Sequence, residues 1–344
     1  MKTYLLLFLC AVSLSLSARV HSFGLENTTN SSCSHAVVVL SAQQFEGGLP
    51  SGYPLARLNG KPVAVQSDDL NNDGKPDELA LMVDLKPLQK ATLSLRFVAK
   101  VPSKPVFRKN VRVGLFVQKD GKWAAASDQV LSREVTVWQG GLWFENECLL
   151  GRLTPDRRYS LEWKVKTDPG LCLPLSPDSL ETVAPLALDG VQPTLVAWSG
   201  TKLQDIDPVT TRTVRVLASG PVRVVVEMGA DRWKVRNQSI NLRTRLILYA
   251  GRRDVELIHY LEATDLTALT LGVPFRSPYD RQAWRLPDLA TTDTTLTLNR
   301  TLLCRFKGSP VVRCRLYPFD ASKGQALPDA KAVAEDVIRV RPRR

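Results

Sequence analysis

Three stretches in the middle of the chain decide the fold: Val222-Arg-Val-Val-Val-Glu-Met228, Ile240-Asn-Leu-Arg-Thr-Arg-Leu-Ile-Leu-Tyr249 and Val255-Glu-Leu-Ile-His-Tyr-Leu-Glu262. Successive side chains of a strand point to opposite faces, so residues two apart share a face. Val222, Val224, Val226 and Met228 then share one face, and Arg223, Val225 and Glu227 the other. Leu242, Thr244, Leu246 and Leu248 alternate in the same way with Asn241, Arg243, Arg245, Ile247 and Tyr249. Val255, Leu257, His259 and Leu261 alternate with Glu256, Ile258, Tyr260 and Glu262. The pattern predicts three consecutive antiparallel strands with one buried and one polar face, connected through residues 231–237 and 250–254.

Outward from this centre the same signals recur. Short apolar or β-branched runs at Val37–Leu40, Ala80–Leu85, Ala91–Val98, Val111–Val117 and Val214–Leu217 are punctuated by Asp73-Gly74, Asp120-Gly121, Ser219-Gly220 and Ala250-Gly251. Such spacing predicts an all-β chain, a sandwich or barrel. One short helix is expected over Pro328–Val337, with proline in its first turn.

The start of the chain reads as an export leader: Lys2, an apolar run from Leu5 to Leu16, then small residues suited to cleavage after Ala18 or Ser22. Residues 1–22 are assigned to a signal peptide and 23–344 to one large β-sandwich domain, secreted or periplasmic. No later segment offers the run of about 20 apolar residues that a membrane span needs. Export permits disulfides. A hairpin centred on Ser309 would set Cys304 opposite Cys314, and Cys148 with Cys172 is a second pairing. The formal net charge of +12 favours anionic partners. Export argues against intracellular nucleic acid among them.

The sharpest motif is Asp69-Leu-Asn71-Asn-Asp73-Gly74-Lys75-Pro-Asp77-Glu78. Asp69, Asn71, Asp73 and Asp77 put side-chain oxygens at loop positions one, three, five and nine. Gly74 stands where the chain must turn sharply, and Lys75 offers its backbone carbonyl. Calcium, a hard cation, takes six to eight oxygen ligands, and this spacing wraps them round one point. Ala80 replaces the twelfth-position glutamate of an EF-hand, and the flanks read as strands. The expected calcium is structural, a staple for the loop. The plainer alternative is an acidic hairpin turn.

Three blocks of sequence resemble the secreted bacterial proteins grouped as domain-of-unknown-function family 4861. The first runs from Asn59-Gly-Lys-Pro-Val-Ala-Val-Gln66 through Asp69–Leu79 to Val83-Asp-Leu. The second is Leu142-Trp-Phe-Glu145-Asn146-Glu147, followed by Arg152 and Asp156-Arg157. The third is Ala218-Ser-Gly220-Pro221-Val-Arg223-Val-Val-Val-Glu227, then Trp233-Lys234, Tyr249-Ala-Gly-Arg252-Arg253 and Leu271-Gly272-Val273. Together they span about residues 59–273. Cys148-Leu-Leu departs from the arginine and longer apolar strand expected there. The resemblance implies a large antiparallel β-sandwich of the mutarotase-like supersandwich kind, and an association with polysaccharide degradation.

On that fold the polar face of the middle strands is a candidate cleft. Glu227 and Glu256 are the candidate catalytic carboxylates, a pair suited to glycosidic bond chemistry. Tyr260 is a candidate proton donor or acceptor in an elimination. Arg223, Arg243 and Arg245 could grip uronate carboxylates. The alternative is a solvated outer face with cross-strand ion pairs. Glu145 and Asn146 are expected to bind or shape a substrate site, on the strength of the resemblance. His259, on an apolar strand face, reads as a structural, hydrogen-bonded residue. With three histidines in all and no Gly-x-Ser-x-Gly elbow, a serine triad has little room. The sequence therefore leads to a secreted carbohydrate-active hydrolase or lyase acting on a complex polysaccharide or oligosaccharide, with acidic ones among the candidates. The alternative is a non-catalytic glycan-binding or structural envelope protein.

Overall fold

The computed structural model describes residues 19–102, 107–108, 110–130, 137–154, 159–173, 195–199, 202–252, 254–262, 271–276, 281–285, 302–304, 311–318 and 338–343. Among them the chain is almost wholly β-strand, and its helices are two three-residue 3-10 turns, Ala42–Gln44 and Trp138–Gly140. No helix of the described residues is long and apolar enough to cross a membrane. The helix expected over Pro328–Val337 lies outside the described residues.

The central sheet has seven strands in the order Asp128–Val130, Thr211–Ser219, Arg223–Val235, Gln238–Tyr249, Asp254–Glu262, Val311–Pro318 and Leu302–Cys304. Its neighbours pair antiparallel, except that Asp254–Glu262 runs parallel to Val311–Pro318. The three middle strands pair as the alternation predicts. The first is longer than expected: it continues through Asp231 to Val235, so its connection is Arg236 and Asn237 alone, with Val235 opposite Gln238. A bulge between Ala230 and Trp233 absorbs Asp231 and Arg232. That insertion breaks the period-two pattern and hid the strand end from sequence reading.

Both faces of this sheet are buried. Val224, Val226, Leu246, Leu248 and Leu257 pack with Leu142, Phe144 and Leu153 of a four-stranded sheet built from Val111–Gly114, Leu142–Asn146, Leu149–Thr154 and Ser160–Val165, and with Tyr159 just before its last strand. On the opposite face, Val225, Ile247, Ile258 and Tyr260 pack on Val37, Val39 and Ala80. Those belong to a three-stranded sheet of Cys33–Ser41, Glu78–Leu85 and Val65–Asp68. That sheet in turn sets Val38, Leu40, Leu79 and Leu81 against Phe23, Leu25, Leu93 and Leu95 of an outer sheet. The outer sheet is ordered Ile338–Arg343, Val20–Asn27, Lys90–Val98, Tyr53–Leu58 and Lys61–Val63. The all-β sandwich architecture holds, and these sheets stack as four layers.

The first strand begins at Val20, where Val20, His21 and Ser22 pair with Arg96, Leu95 and Ser94. A leader ending at Ser22 would remove three paired residues, whereas one ending at Ala18 leaves the strand whole. In the hairpin of Leu302–Cys304 with Val311–Pro318, Cys304 faces Val312 and Cys314 faces Leu302. The two cysteines are thus offset in register. Cys33, Cys148 and Cys172 carry free thiols, so the Cys148–Cys172 pairing is not formed.

Candidate functional site

The residues nominated on the central strands come together, but in a buried layer and not in a cleft. Arg223, Glu227 and Arg245 are 2%, 4% and 5% exposed, and Tyr260 is fully buried. The face was read as open or as a cleft wall, and the three-stranded sheet covers it. Arg223 donates through Nε to Asp68 Oδ2 at 2.8 Å and pairs through Nη2 with Asp68 (2.7 Å) and Glu78. Gln66 locks the same corner. Its Oε1 accepts from the amides of Val222 (3.0 Å) and Arg223 (2.9 Å). Its Nε2 donates to Asp68 Oδ1 (2.7 Å) and to the Arg223 carbonyl (3.0 Å). Gly220 is needed here because a Cβ would overlap the Gln66 side chain.

Burial pushes the Glu78 carboxyl above the ordinary carboxylate range, against the pull of Arg223. Burial also works against the Arg223 charge, but Glu78 and Asp68 outweigh it and hold the guanidinium protonated. Each buried ion costs several kcal/mol unless paired. Burial of Val225, Ile247 and Ile258 on the same face contributes roughly 1.5–3 kcal/mol each. The layer is therefore tenable only with its ion pairs complete.

The carboxylates chosen for catalysis have structural occupations. Glu227 accepts from Arg245 Nε at 3.2 Å and pairs with Arg215 Nη1 at 3.4 Å. The Arg245 guanidinium lies 5.3 Å from the Tyr260 ring centre and donates to the Leu70 carbonyl at 3.2 Å. Glu256 accepts from the Tyr249 hydroxyl at 3.1 Å. Arg243 pairs with Asp231 at 2.6 Å. Arg223, Glu227, Arg245 and Tyr260 lie beneath the three-stranded sheet, out of reach of a sugar, which counts against the roles expected of them; Glu256 and Arg243 are half-buried and engaged with Tyr249 and Asp231.

Glu145 and Asn146 are also fully buried. Glu145 takes Lys166 as its ion partner and accepts from the amides of Cys172 (3.0 Å) and Leu173 (2.6 Å). Asn146 donates to the carbonyls of Tyr249 (2.6 Å) and Arg252 (2.7 Å), and accepts from the amides of Cys148 (2.7 Å) and Leu149 (2.6 Å). Both hold loops in place and leave no polar atom for a ligand. Trp138 and Trp143 are buried with Phe116, Leu150 and Leu173, so they offer no stacking platform.

The Asp69–Asp77 loop closes on itself. Asp69 accepts from the amides of Asp73 (3.2 Å) and Gly74 (2.8 Å), and Asp77 from those of Leu70 (2.6 Å) and Asn71 (3.2 Å). Asn71 Oδ1 accepts from the Asp73 amide at 2.8 Å, and Asp73 from the Lys75 amide at 2.8 Å. Burial first, and then the charges of Asp69 and Asp73, push the Asp77 carboxyl up, although the amides of Leu70 and Asn71 pull it down. Among the described residues no three His, Cys, Asp or Glu side chains are grouped to hold a metal ion. The carboxylates face backbone amides.

A concave site lies on the outer sheet, where the sequence reading placed no site residue. A cavity of about 450 Å³ sits over outward residues of three strands. Leu55, Arg96 and Val20 form one cross-strand row of its floor, and Arg57 lies opposite Ser94 in the next. Tyr53, Pro102 and Phe107 also line it, and Pro62, Val63 and Pro221 lie at the sheet edge. Arg57 and Arg96 are exposed, and Arg57 donates to the Gly60 carbonyl at 2.8 Å. Among the described residues that line the cavity there is no Asp, Glu, His or Cys. Such a volume suits a small ligand. Its chemistry is apolar walls with aromatic rings and two guanidinium groups. The site was hidden because Tyr53, Leu55 and Arg57 face outward on one strand while Ser94 and Arg96 come from another, with no motif joining them.

Residues 25–147 and 194–283 match a sequence family described as "Domain of unknown function (DUF4861)". The match starts at Leu25, well before Asn59, and takes in the end of the strand Val20–Asn27 and the whole of Cys33–Ser41 in the two N-terminal layers. It passes over 148–193, which contains Arg152, Asp156 and Arg157. No curated protein matches the chain.

Proposed function

The chain belongs to the family described as Domain of unknown function (DUF4861), and on that premise we propose that it is a secreted or periplasmic protein that binds an acidic glycan without cleaving it. The observation that carries this reading is the chemistry of the outer cavity. Glycosidic hydrolysis needs two carboxyl groups flanking the bond, and an elimination needs a general base. Among the described residues the cavity lining has no carboxyl group, and no Asp, Glu, His or Cys that would act as a base or activate Tyr53, while the carboxylates nominated for that work are ion or hydrogen-bond partners on the central sheet. What the cavity offers is recognition. Arg57 and Arg96 supply charge-assisted hydrogen bonds to a carboxylate, and Tyr53 and Phe107 supply apolar surface for a ring face.

Binding of digalacturonate, followed by titration calorimetry, tests this. Arg57→Gln with Arg96→Gln is expected to weaken it at least about tenfold, the loss of one to two kcal/mol of charge-assisted bonding. Incubation with neutral and uronic-acid polysaccharides should yield neither reducing ends nor unsaturated ends. Product from any substrate, or equal binding by the double variant, overturns the reading.

The Asp69–Asp77 loop supports a second element of the proposal, a structural calcium. Asp69, Asn71, Asp73 and Asp77 with the Lys75 carbonyl would hold it, their side chains turning from backbone amides onto the ion. Hard oxygen donors suit calcium, and neutralising the crowded Asp69, Asp73 and Asp77 charges would stiffen a loop that the Leu70 carbonyl anchors to Arg245. Saturating calcium should raise the melting temperature of chelator-treated protein by roughly 5 °C, with no rise in Asp73→Ala. An equal rise in that variant removes calcium from the account.

A further inference from the structure

The outer sheet carries more positive charge than its cavity uses. Its register sets Lys90 opposite Glu26 and Glu26 opposite Arg339, then Thr92, Gly24 and Arg341 in line, then Arg57, Ser94, Ser22 and Arg343. Arg96 follows Ser94 by two residues and so keeps its face. Arg57, Lys90, Arg96, Arg339, Arg341 and Arg343 therefore occupy register positions of a single sheet face. Glu26, 3.8 Å from Lys90, is the one acid at these positions among the described residues. Neighbouring strands are about 4.8 Å apart, so the row from Arg57 to Arg343 crosses three strand steps, about 14 Å. Basic residues on an edge strand are a common guard against aggregation, and Ile338–Arg343 is such an edge. The guard explanation does not extend to Arg96 and Arg57, which lie on inner strands.

We infer that this face binds an extended polyanion, a run of uronic acid residues. One residue sits in the cavity at Arg57 and Arg96, and those beyond it lie across the strand Ile338–Arg343. The inference rests on the acidic-glycan reading of the cavity and adds the length of the ligand and the role of the last strand. Its warrant is charge complementarity: alternate arginines at a regular spacing match a chain with a carboxylate on every unit.

The experiment compares galacturonate polymer with digalacturonate on the full chain, in wild type and in R339Q/R341Q/R343Q, with a neutral glucan as control. Wild type is expected to prefer the polymer, per binding event, by at least about tenfold, and to lose that preference as salt rises. The triple glutamine variant should lose most of the preference. R339K/R341K/R343K, which keeps the charge, should retain it, and so separates lost charge from a disturbed edge strand. If both wild type and the glutamine variant bind dimer and polymer alike, the extended site is wrong and the cavity reading stands. If neither dimer nor polymer binds, the cavity reading fails and takes this inference with it.

Discussion

Arg223→Met is expected to cost about 3–5 kcal/mol of folding stability, the usual penalty for breaking a buried ion pair from one side. Urea unfolding measures it as a fall in midpoint. The substitution leaves Asp68 and Glu78 facing each other in a layer where both are buried, and neither gains water in exchange. Adding Asp68→Asn and Glu78→Gln to the same chain removes the stranded charge, so the triple variant should recover a large part of the loss. Strong non-additivity is the signature of groups that share one network. A residue gripping substrate on an open surface behaves otherwise: its loss lowers binding and leaves the midpoint near wild type. A midpoint change equivalent to less than about 1 kcal/mol for Arg223→Met would contradict the buried role.

The second large effect is in pH. His259 is fully buried on the apolar face of the central sheet, and its Nδ1 shares a hydrogen bond with Thr244 Oγ1 at 2.9 Å. Its Nε2 has no hydrogen-bond partner among the described residues. Burial lowers its pKa from 6.5 to about 3. The folded value is depressed, so the unfolded chain takes up a proton that the folded chain refuses. The stabilisation from the neutral ring is fully present above pH 6.5 and is lost as pH falls from there toward 3. The slope approaches about 1.4 kcal/mol per pH unit. Between pH 6.5 and 4.5 the loss should come to roughly 2 kcal/mol. His259→Gln keeps a polar partner for Thr244 and cannot titrate. The difference between the two unfolding curves isolates the histidine from the carboxylates, which titrate in both. Curves that stay parallel over that range would show that His259 is protonated, or reached by water, in the folded protein.

Much of this was readable in advance at the level of single strands. Val224, Val226, Leu246, Leu248 and Leu257 point into one core, and His259 points with them, because side-chain alternation is a local property of the backbone. The mistake concerned the other face. Val225, Ile247, Ile258, Tyr249 and Tyr260 share it with Arg223, Glu227 and Arg245, and such a mixture argues against full solvation. The counter-charges of Arg223 are carried 155 and 145 residues away, at Asp68 and Glu78. They flank the calcium-like loop, whose own spacing drew attention to the residues between them. Glu145 and Asn146, expected to bind or shape a substrate site, are buried and anchor loops instead.

From the amino-acid order alone follow the all-β class, the alternation of the central strands, the left-handed Gly74 within the Asp69–Asp77 loop and the inward position of His259. Each is set by residues within a few positions of one another. Which strand face meets water, whether a carboxylate is a reagent or an ion partner, and where a cavity opens are settled by layers stacked from opposite ends of the chain. The sheet of Cys33–Ser41, Val65–Asp68 and Glu78–Leu85 covers the face that Arg223 shares, and the strands Val20–Asn27, Tyr53–Leu58 and Lys90–Val98 assemble the floor of the outer cavity. Burial and electrostatic environment depend on what packs from outside a segment, and that is decided by tertiary structure.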